Sequence, residues 1–222
     1  LVVAWPLSIE PQNNESNILA PSYETIQDQL TRHFGERLVG KIEIVGITPP
    51  GMGTPRLRAR QFGLEEIEDA AAFASQINRE RANVYFGVAP RREDITCNTR
   101  ARDNDCLPSD YIWLDLDEAG AAESAIVELE NLGVSSSYSV VTGKYPHKRV
   151  QMFFKLAEPI SDHGQLTTSI KALAQRLGGD PKVSNIGRLM RLGGSIAWPS
   201  KPGRVAEITE YCAENGSALQ LV

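Results

Sequence analysis

Polar and apolar residues alternate along Lys41–Ile47, predicting a strand that Pro49-Pro50-Gly51 stops. Upstream, Ser22 stands where it can cap a helix running to about Phe34, with Glu24 in the first turn. Arg56-Leu57-Arg58-Ala59-Arg60 alternates as well, so its three guanidiniums would share one strand face. Leu64, Ile67, Ala71, Phe73, Ala74 and Ile77 recur at helical spacing and predict a helix to about Glu80. Asn83–Ala89 forms a strand ending at Pro90-Arg91-Arg92, and a polar loop from Glu93 to Asp110 follows. The second half is more regular. Strands are expected at Tyr111–Asp117, Ser137–Thr142 and Val150–Leu156, and helices at about Ala119–Leu132 and Asp162–Leu177, the latter ended by Gly178-Gly179. Further extended segments lie at Arg188–Leu192 and Val205–Thr209.

The order from Tyr111 onward is β-α-β-β-α-β, the ferredoxin-like α+β arrangement that also builds polymerase palms and RNA-recognition domains. We therefore expect an irregular arm over residues 1–21 and a single core over 22–222. That core divides into an N-terminal α/β module (about 22–110) and a palm-like module (about 111–210). In this fold the first and third strands are antiparallel neighbours, and the last strand lies on the first strand's other side. The end of Tyr111–Asp117 should thus meet the start of Val150–Leu156 and the start of the last strand at one sheet edge.

Composition changes this picture little. A chain of 222 residues with 41% hydrophobic and 23% charged residues is an ordinary globular one. No apolar run reaches the roughly 18 residues of a membrane span, and Leu1–Leu7 meets Pro6 without a basic leader, unlike a signal peptide. Three scattered cysteines form no disulfide framework, so a reducing, cytoplasmic setting is expected, without a membrane partner. Charge changes more. Between Val140 and Arg204 stand eleven Lys and Arg against Glu158, Asp162 and Asp180, whereas the remainder has twelve against twenty-five carboxylates. One segment is built to meet anions.

The candidate chemistry lies at the predicted sheet edge. Asp115 and Asp117, two apart on a strand, share a face, and paired carboxylates of this kind commonly hold a divalent cation. Hard oxygen ligands suit Mg2+ or Mn2+. Alone, Asp-x-Asp reads equally as two solvated charges. The turn Thr142-Gly143-Lys144-Tyr145-Pro146-His147-Lys148-Arg149-Val150-Gln151 brings donors to the same edge: Thr142, Lys144, His147, Arg149 and Gln151. Asp180 is placed to supply a third carboxylate, with Arg188, Arg191 and Lys201 as phosphate clamps. Three carboxylates with flanking cations describe two-metal phosphoryl transfer, and the combination is more specific than any part.

These motifs resemble those of the archaeo-eukaryotic primase superfamily, the primase-polymerases, and within it the RepB-type replication primases of plasmids and phages. Tyr111-Ile112-Trp113-Leu114-Asp115-Leu116-Asp117 is similar to the first motif, and Asp180-x-x-Val183 with Arg188-x-x-Arg191-Leu192 to the third. Val84-Tyr85-Phe86-Gly87-Val88-Ala89-Pro90-Arg91 is similar to a segment preceding the first. The second motif departs from the family's Ser-x-His: Gln151 stands at the strand opening while His147 lies earlier in the turn, and either residue fits the phosphate-binding role. The resemblance covers about Lys41 to Thr209. It implies a DNA primase or polymerase core, a metal-dependent nucleotidyl transferase of DNA replication. Its partners would be nucleoside triphosphates, a single-stranded DNA template and a primer, and a helicase or a C-terminal helical priming domain. Arg56, Arg58, Arg60, Arg91 and Arg92 are candidate nucleic-acid contacts, each with a surface salt bridge as its alternative.

Two other functions fit the same elements: a catalytically silent single-stranded nucleic-acid-binding module, and a metal-dependent nuclease, which shares the carboxylates but needs no triphosphate clamps. Cys97 and Cys106 are too few and too widely spaced for an ordinary zinc site, so plain thiols are expected over a zinc knuckle. Trp113, Phe153 and Phe154 are expected in the core. No P-loop is present, because Gly51-Met52-Gly53 lacks the following Lys-Ser/Thr.

Overall fold

The structure is a computed structural model and describes residues 19–220; most of the expected N-terminal arm lies outside them. Helix α1 (Tyr23–Phe34) begins at Ser22, whose hydroxyl accepts from the Thr25 N–H. Strands β1 (Lys41–Ile47) and β2 (Leu57–Gly63) pair antiparallel. A 3-10 turn at Leu64–Glu66 leads into α2 (Ile67–Arg79), and β3 (Asn83–Gly87) pairs with β1. Then follow β4 (Ser109–Leu116), α3 (Ala121–Asn131), β5 (Tyr138–Gly143), β6 (Arg149–Ile160) and α4 (His163–Leu177). The short strands β7 (Leu189–Arg191), β8 (Ile196–Ala197), β9 (Glu207–Ile208) and β10 (Glu210–Ala213) complete the described chain.

Two four-stranded antiparallel sheets result, with orders β2-β1-β3-β7 and β10-β5-β6-β4, and β8 pairs with β9 beside them. Their apolar faces meet on α1. His33 of that helix stacks on Tyr111 at 4.3 Å and lies edge-on to Phe34 and Phe86, while Tyr138 stacks on Phe153 at 4.4 Å. Trp113, Phe153 and Phe154 are buried, as expected of core residues. The Trp113 indole N–H is satisfied by the Val183 carbonyl at 2.7 Å.

The mixed α+β class and the β4–β6 neighbourhood agree with the sequence reading, and Leu116 pairs with Val150 at the expected edge. The last strand does not. Arg188–Leu192 was expected beside Tyr111–Asp117, yet β7 joins the other sheet, where Met190 pairs with Phe86. The reason lies just after α4. The Asp180 N–H bonds to the Asp115 carbonyl, so the chain leaving α4 already covers the end of β4. Beyond it, the buried Met190 and Leu192 fill the core of the first sheet. At the other edge of the second sheet β10 pairs with β5; it begins just past the expected Val205–Thr209 segment and was not expected from the sequence pattern.

Candidate metal and nucleotide site between the two sheets

Asp115 sits opposite Gln151 in the β4–β6 register. The Gln151 amide donates to Asp115 Oδ1 at 3.2 Å, and its Oε1 accepts the backbone N–H of Arg191 at 3.0 Å. One side chain, 9% exposed, therefore ties the carboxylate on one sheet to the β7 backbone of the other. Asp180 arrives by a close approach. Gly178 ends α4 with φ of 73°, the left-handed conformation that favours glycine. A Cβ on Gly179 would strike the Leu114 side chain, so only a glycine there lets the next residue reach β4. The Asp180 backbone then lies 3.0 Å from the Asp115 carbonyl, while its Oδ1 accepts the Lys182 N–H at 2.9 Å.

The electrostatics are those of crowded carboxylates. Burial raises the pKa of Asp115; the Gln151 bond opposes this, and the charges of Asp117 and Asp180 raise it again, with Arg188 pulling the other way. Asp117 titrates below its usual range. Burial pushes its carboxyl up, but the bonds from Lys201 and Arg204 outweigh that. Arg204 reaches Oδ1 and Oδ2 at 2.7 and 2.8 Å, and Lys201 reaches Oδ2 at 2.9 Å. Among the described residues no three His, Cys, Asp or Glu side chains close into a ready metal site. The backbones of Asp115 and Asp180 meet, the Asp180 carboxylate bonds to the Lys182 N–H, and Asp117 is turned into its ion pairs.

Beside Asp117 lies a small cleft lined by Thr142, Arg149, Arg191, Trp198, Ser200 and Arg204. Three arginines therefore line one cleft, and arginine is a donor suited to phosphate oxygens. Arg149 is buried; it donates to the Tyr145 carbonyl at 2.6 Å and to the Glu207 carboxylate at 3.4 Å, and lies 3.8 Å from Asp117. Glu207 in turn accepts the Lys144 and Tyr145 N–H groups and so holds the turn. The His147 Nε2–H donates to the Asp117 carbonyl at 2.7 Å. Arg188 lies near Asp115, donates to the Lys182 carbonyl at 2.5 Å, and has a buried Nε–H with no partner among the described residues. Lys144 sits further out, paired with Glu210.

The proposed nucleic-acid arginines do not form a common surface. Arg58 pairs with Glu80, Arg60 lies over the Phe62 ring at 4.7 Å, and Arg92 pairs with Asp94. Arg56, exposed just before β2, has no such partner among the described residues. Arg58, Arg60 and Phe62 do share a face, but that face packs on α2 through Phe73. Arg91 corrects the reading outright. It is 0% exposed and bonds to the buried Glu43 carboxylate at 2.8 and 3.0 Å and to Cys106 Sγ at 2.7 Å. An arginine that closes a buried ion pair is a structural element, not a DNA contact. Sequence reasoning missed Asn83, Tyr85, Trp198, Arg204 and Glu207 as parts of the site. The signal available was weak: an asparagine opening a strand, against strand propensity, and a Trp-Pro after an apolar run. Cys97, Cys106 and Cys212 form no disulfide; Cys106 is buried and the other two are exposed.

The chain matches no family model, and no curated protein matches it by sequence. Solved structures do match. The AEP domain of the cyanophage S-2L primase-polymerase superposes with a TM-score of 0.65 at 17% identity, covering 90% of this chain and 95% of that one. The chain shares the fold of that AEP domain. The same fold appears in the primase RepB', with a TM-score of 0.60 at 15% identity over 87% of this chain, which spans 58% of that protein. The catalytic domain of RepB', solved in complex with initiator DNA, gives 0.60 at 15% identity with 87% of both chains covered. The resemblance drawn from the Asp115, Asp180 and Arg191 motifs thus holds at the level of fold. Among the described residues no helix is long and apolar enough to cross a membrane.

Proposed function

We propose that the chain is a metal-dependent, template-directed nucleotidyl transferase of DNA replication, a primase or polymerase core that joins a nucleoside triphosphate to the 3′-hydroxyl of a growing strand. One observation carries the reading: the Asp115 carboxylate is held at the sheet junction, with Asp180 brought to it by Gly179 and a three-arginine cleft opening beside Asp117.

The donor set fits a divalent cation such as Mg2+ or Mn2+. A partly buried carboxylate crowded by two others gains most from a cation, and oxygen donors select hard ions. Asp115, Asp117 and Asp180 would hold the ions. When bound, they would ease deprotonation of the attacking hydroxyl and neutralise the departing pyrophosphate. The protein's own residues do the rest. Gln151 keeps Asp115 aimed while registering it against Arg191. Arg149, Arg191 and Arg204 face the cleft, where the β- and γ-phosphates find charge-assisted donors, with Thr142 and Ser200 as neutral ones. The unpartnered Nε–H of Arg188 is a further donor for an anion near Asp115. Lys201 and Arg204 now share the single negative charge of Asp117, and triphosphate oxygens would compete for both. The initiator DNA bound by the solved RepB' catalytic domain supports DNA as a partner of this chain too, and a template strand with a primer is the form of it that this reaction would use.

The test is incubation with a single-stranded template and labelled nucleotides in Mg2+ or Mn2+, with and without a primer. Metal-dependent incorporation, abolished in Asp115→Asn and Asp117→Asn variants that keep wild-type unfolding midpoints, is expected. DNA binding with no incorporation in either metal would favour the silent binding module. Template loss without added nucleotides would favour the nuclease.

A further inference from the structure

Asn78 and Asn83 lie at the corner between α2 and β3 and are 0% and 2% exposed. Both spend their amides on the segment that carries β8. Asn78 accepts the Ile196 N–H at 2.7 Å and donates to the Ile196 carbonyl at 2.9 Å. Asn83 accepts the Trp198 N–H at 2.8 Å and donates to the Trp198 carbonyl at 3.0 Å. Residues 196 and 198 present the same edge of an extended chain, so the two amides act as a surrogate strand for β8. The Trp198 indole N–H is fixed as well, on the Asn78 carbonyl at 2.9 Å.

Asn83 does one thing more. Its Oδ1 also accepts from Arg191 Nη1 at 2.8 Å, while Arg191 Nη2 reaches the Tyr85 hydroxyl at 3.1 Å and the guanidinium lies 4.9 Å from the Tyr85 ring centre. One buried oxygen thus joins the Arg191 guanidinium to the root of the loop that carries Lys201 and Arg204, whose other end enters β9. Two walls of the arginine cleft are set by the same atom. Without that acceptor the Arg191 guanidinium keeps only Tyr85 among the described residues, and Trp198 loses the bond to its N–H.

We propose that Asn83 is a positioning residue for triphosphate binding: it presents Arg191 and the Trp198–Arg204 loop to one set of phosphate oxygens. This rests on the reading of the cleft given above, and it assigns the task to a residue of the first sheet that does not itself face the substrate. Asn83 acts on affinity for the nucleotide, not on the carboxylates that hold the metal.

The experiment measures nucleoside triphosphate binding by quenching of Trp198 fluorescence, with Trp198→Phe as the signal control, alongside KM, kcat and the unfolding midpoint. Asn83→Ala should weaken binding and raise KM roughly tenfold, the worth of one hydrogen bond to a charged group, with kcat changed less than about threefold. Asn83→Asp keeps the oxygen that Arg191 and the Trp198 N–H use but sets a carboxylate against the Trp198 carbonyl. It should restore affinity to within about threefold of wild type without restoring the unfolding midpoint. Tyr85→Phe, which keeps the ring under Arg191, guards against a misfolded alanine variant and should cost affinity about threefold. Affinity that follows the unfolding midpoint through all three variants would overturn the inference, as would unchanged binding in Asn83→Ala. Absence of triphosphate binding in the wild type would instead overturn the reading of the cleft itself.

Discussion

His33 makes the fold acid-sensitive, by an amount that follows from its surroundings. The ring is packed among Phe34, Phe86, Tyr111, Tyr138 and Phe153. Its Nε2–H donates to the Val88 carbonyl at 2.7 Å, which leaves Nδ1 to accept from the Tyr138 hydroxyl at 2.6 Å. That geometry fixes the neutral tautomer. Burial drives the pKa down from 6.5 to about 3, against the Val88 bond and helped by the charges of Arg37 and Lys155. Because the folded pKa is depressed, the unfolded chain binds the proton first as pH falls. The stabilisation is complete above pH 6.5 and is lost progressively from there toward pH 3. At about 1.4 kcal/mol per pH unit, the loss from this one residue between pH 7 and pH 5 is about 2 kcal/mol. His33→Gln offers an amide donor and acceptor without a proton to gain. Urea unfolding of both proteins at the two pH values isolates the effect: the wild type should lose about 2 kcal/mol more than the variant. Equal losses would show that the ring titrates normally and that the junction is open to water.

Three further expectations concern the supports of the site. Gly179→Ala should destabilise the fold by about 1–3 kcal/mol in denaturant unfolding, because its methyl meets Leu114; metal binding should weaken with it, since Asp180 can no longer approach Asp115. Glu43→Gln removes the charge that Arg91 and Arg100 share and leaves Arg91 buried and unpaired, at a cost of about 3–5 kcal/mol by the same measurement. In thiol labelling of the native protein, the exposed Cys97 and Cys212 should react promptly. Cys106, buried and with its pKa pushed up to about 11, should react only on unfolding.

Local pattern carried most of the elements. The alternation in Lys41–Ile47 and the Ser22 cap translate directly into β1 and α1, since both depend on neighbours in sequence. Asp115 facing the start of β6 was also legible, because strand order sets that pairing. Partnership across the sheets was not. Three residues of β7 carry too short a pattern to choose a sheet, and the choice falls to Met190 and Leu192 filling the first core. Arg91 reads as a surface charge until the buried Glu43 opposite is known. Asn83 has no spacing signature at all, because both its partners, Arg191 and Trp198, lie more than a hundred positions away.

The most direct measurement is anomalous diffraction from crystals soaked with Mn2+ and a non-hydrolysable nucleoside triphosphate. Manganese should lie on Asp115 with Asp180 and Asp117, Lys201 and Arg204 should have left Asp117, and the phosphates should fill the cleft of Arg149, Arg191 and Arg204. Manganese and phosphates bound elsewhere, with the Asp117 ion pairs intact, would contradict the account.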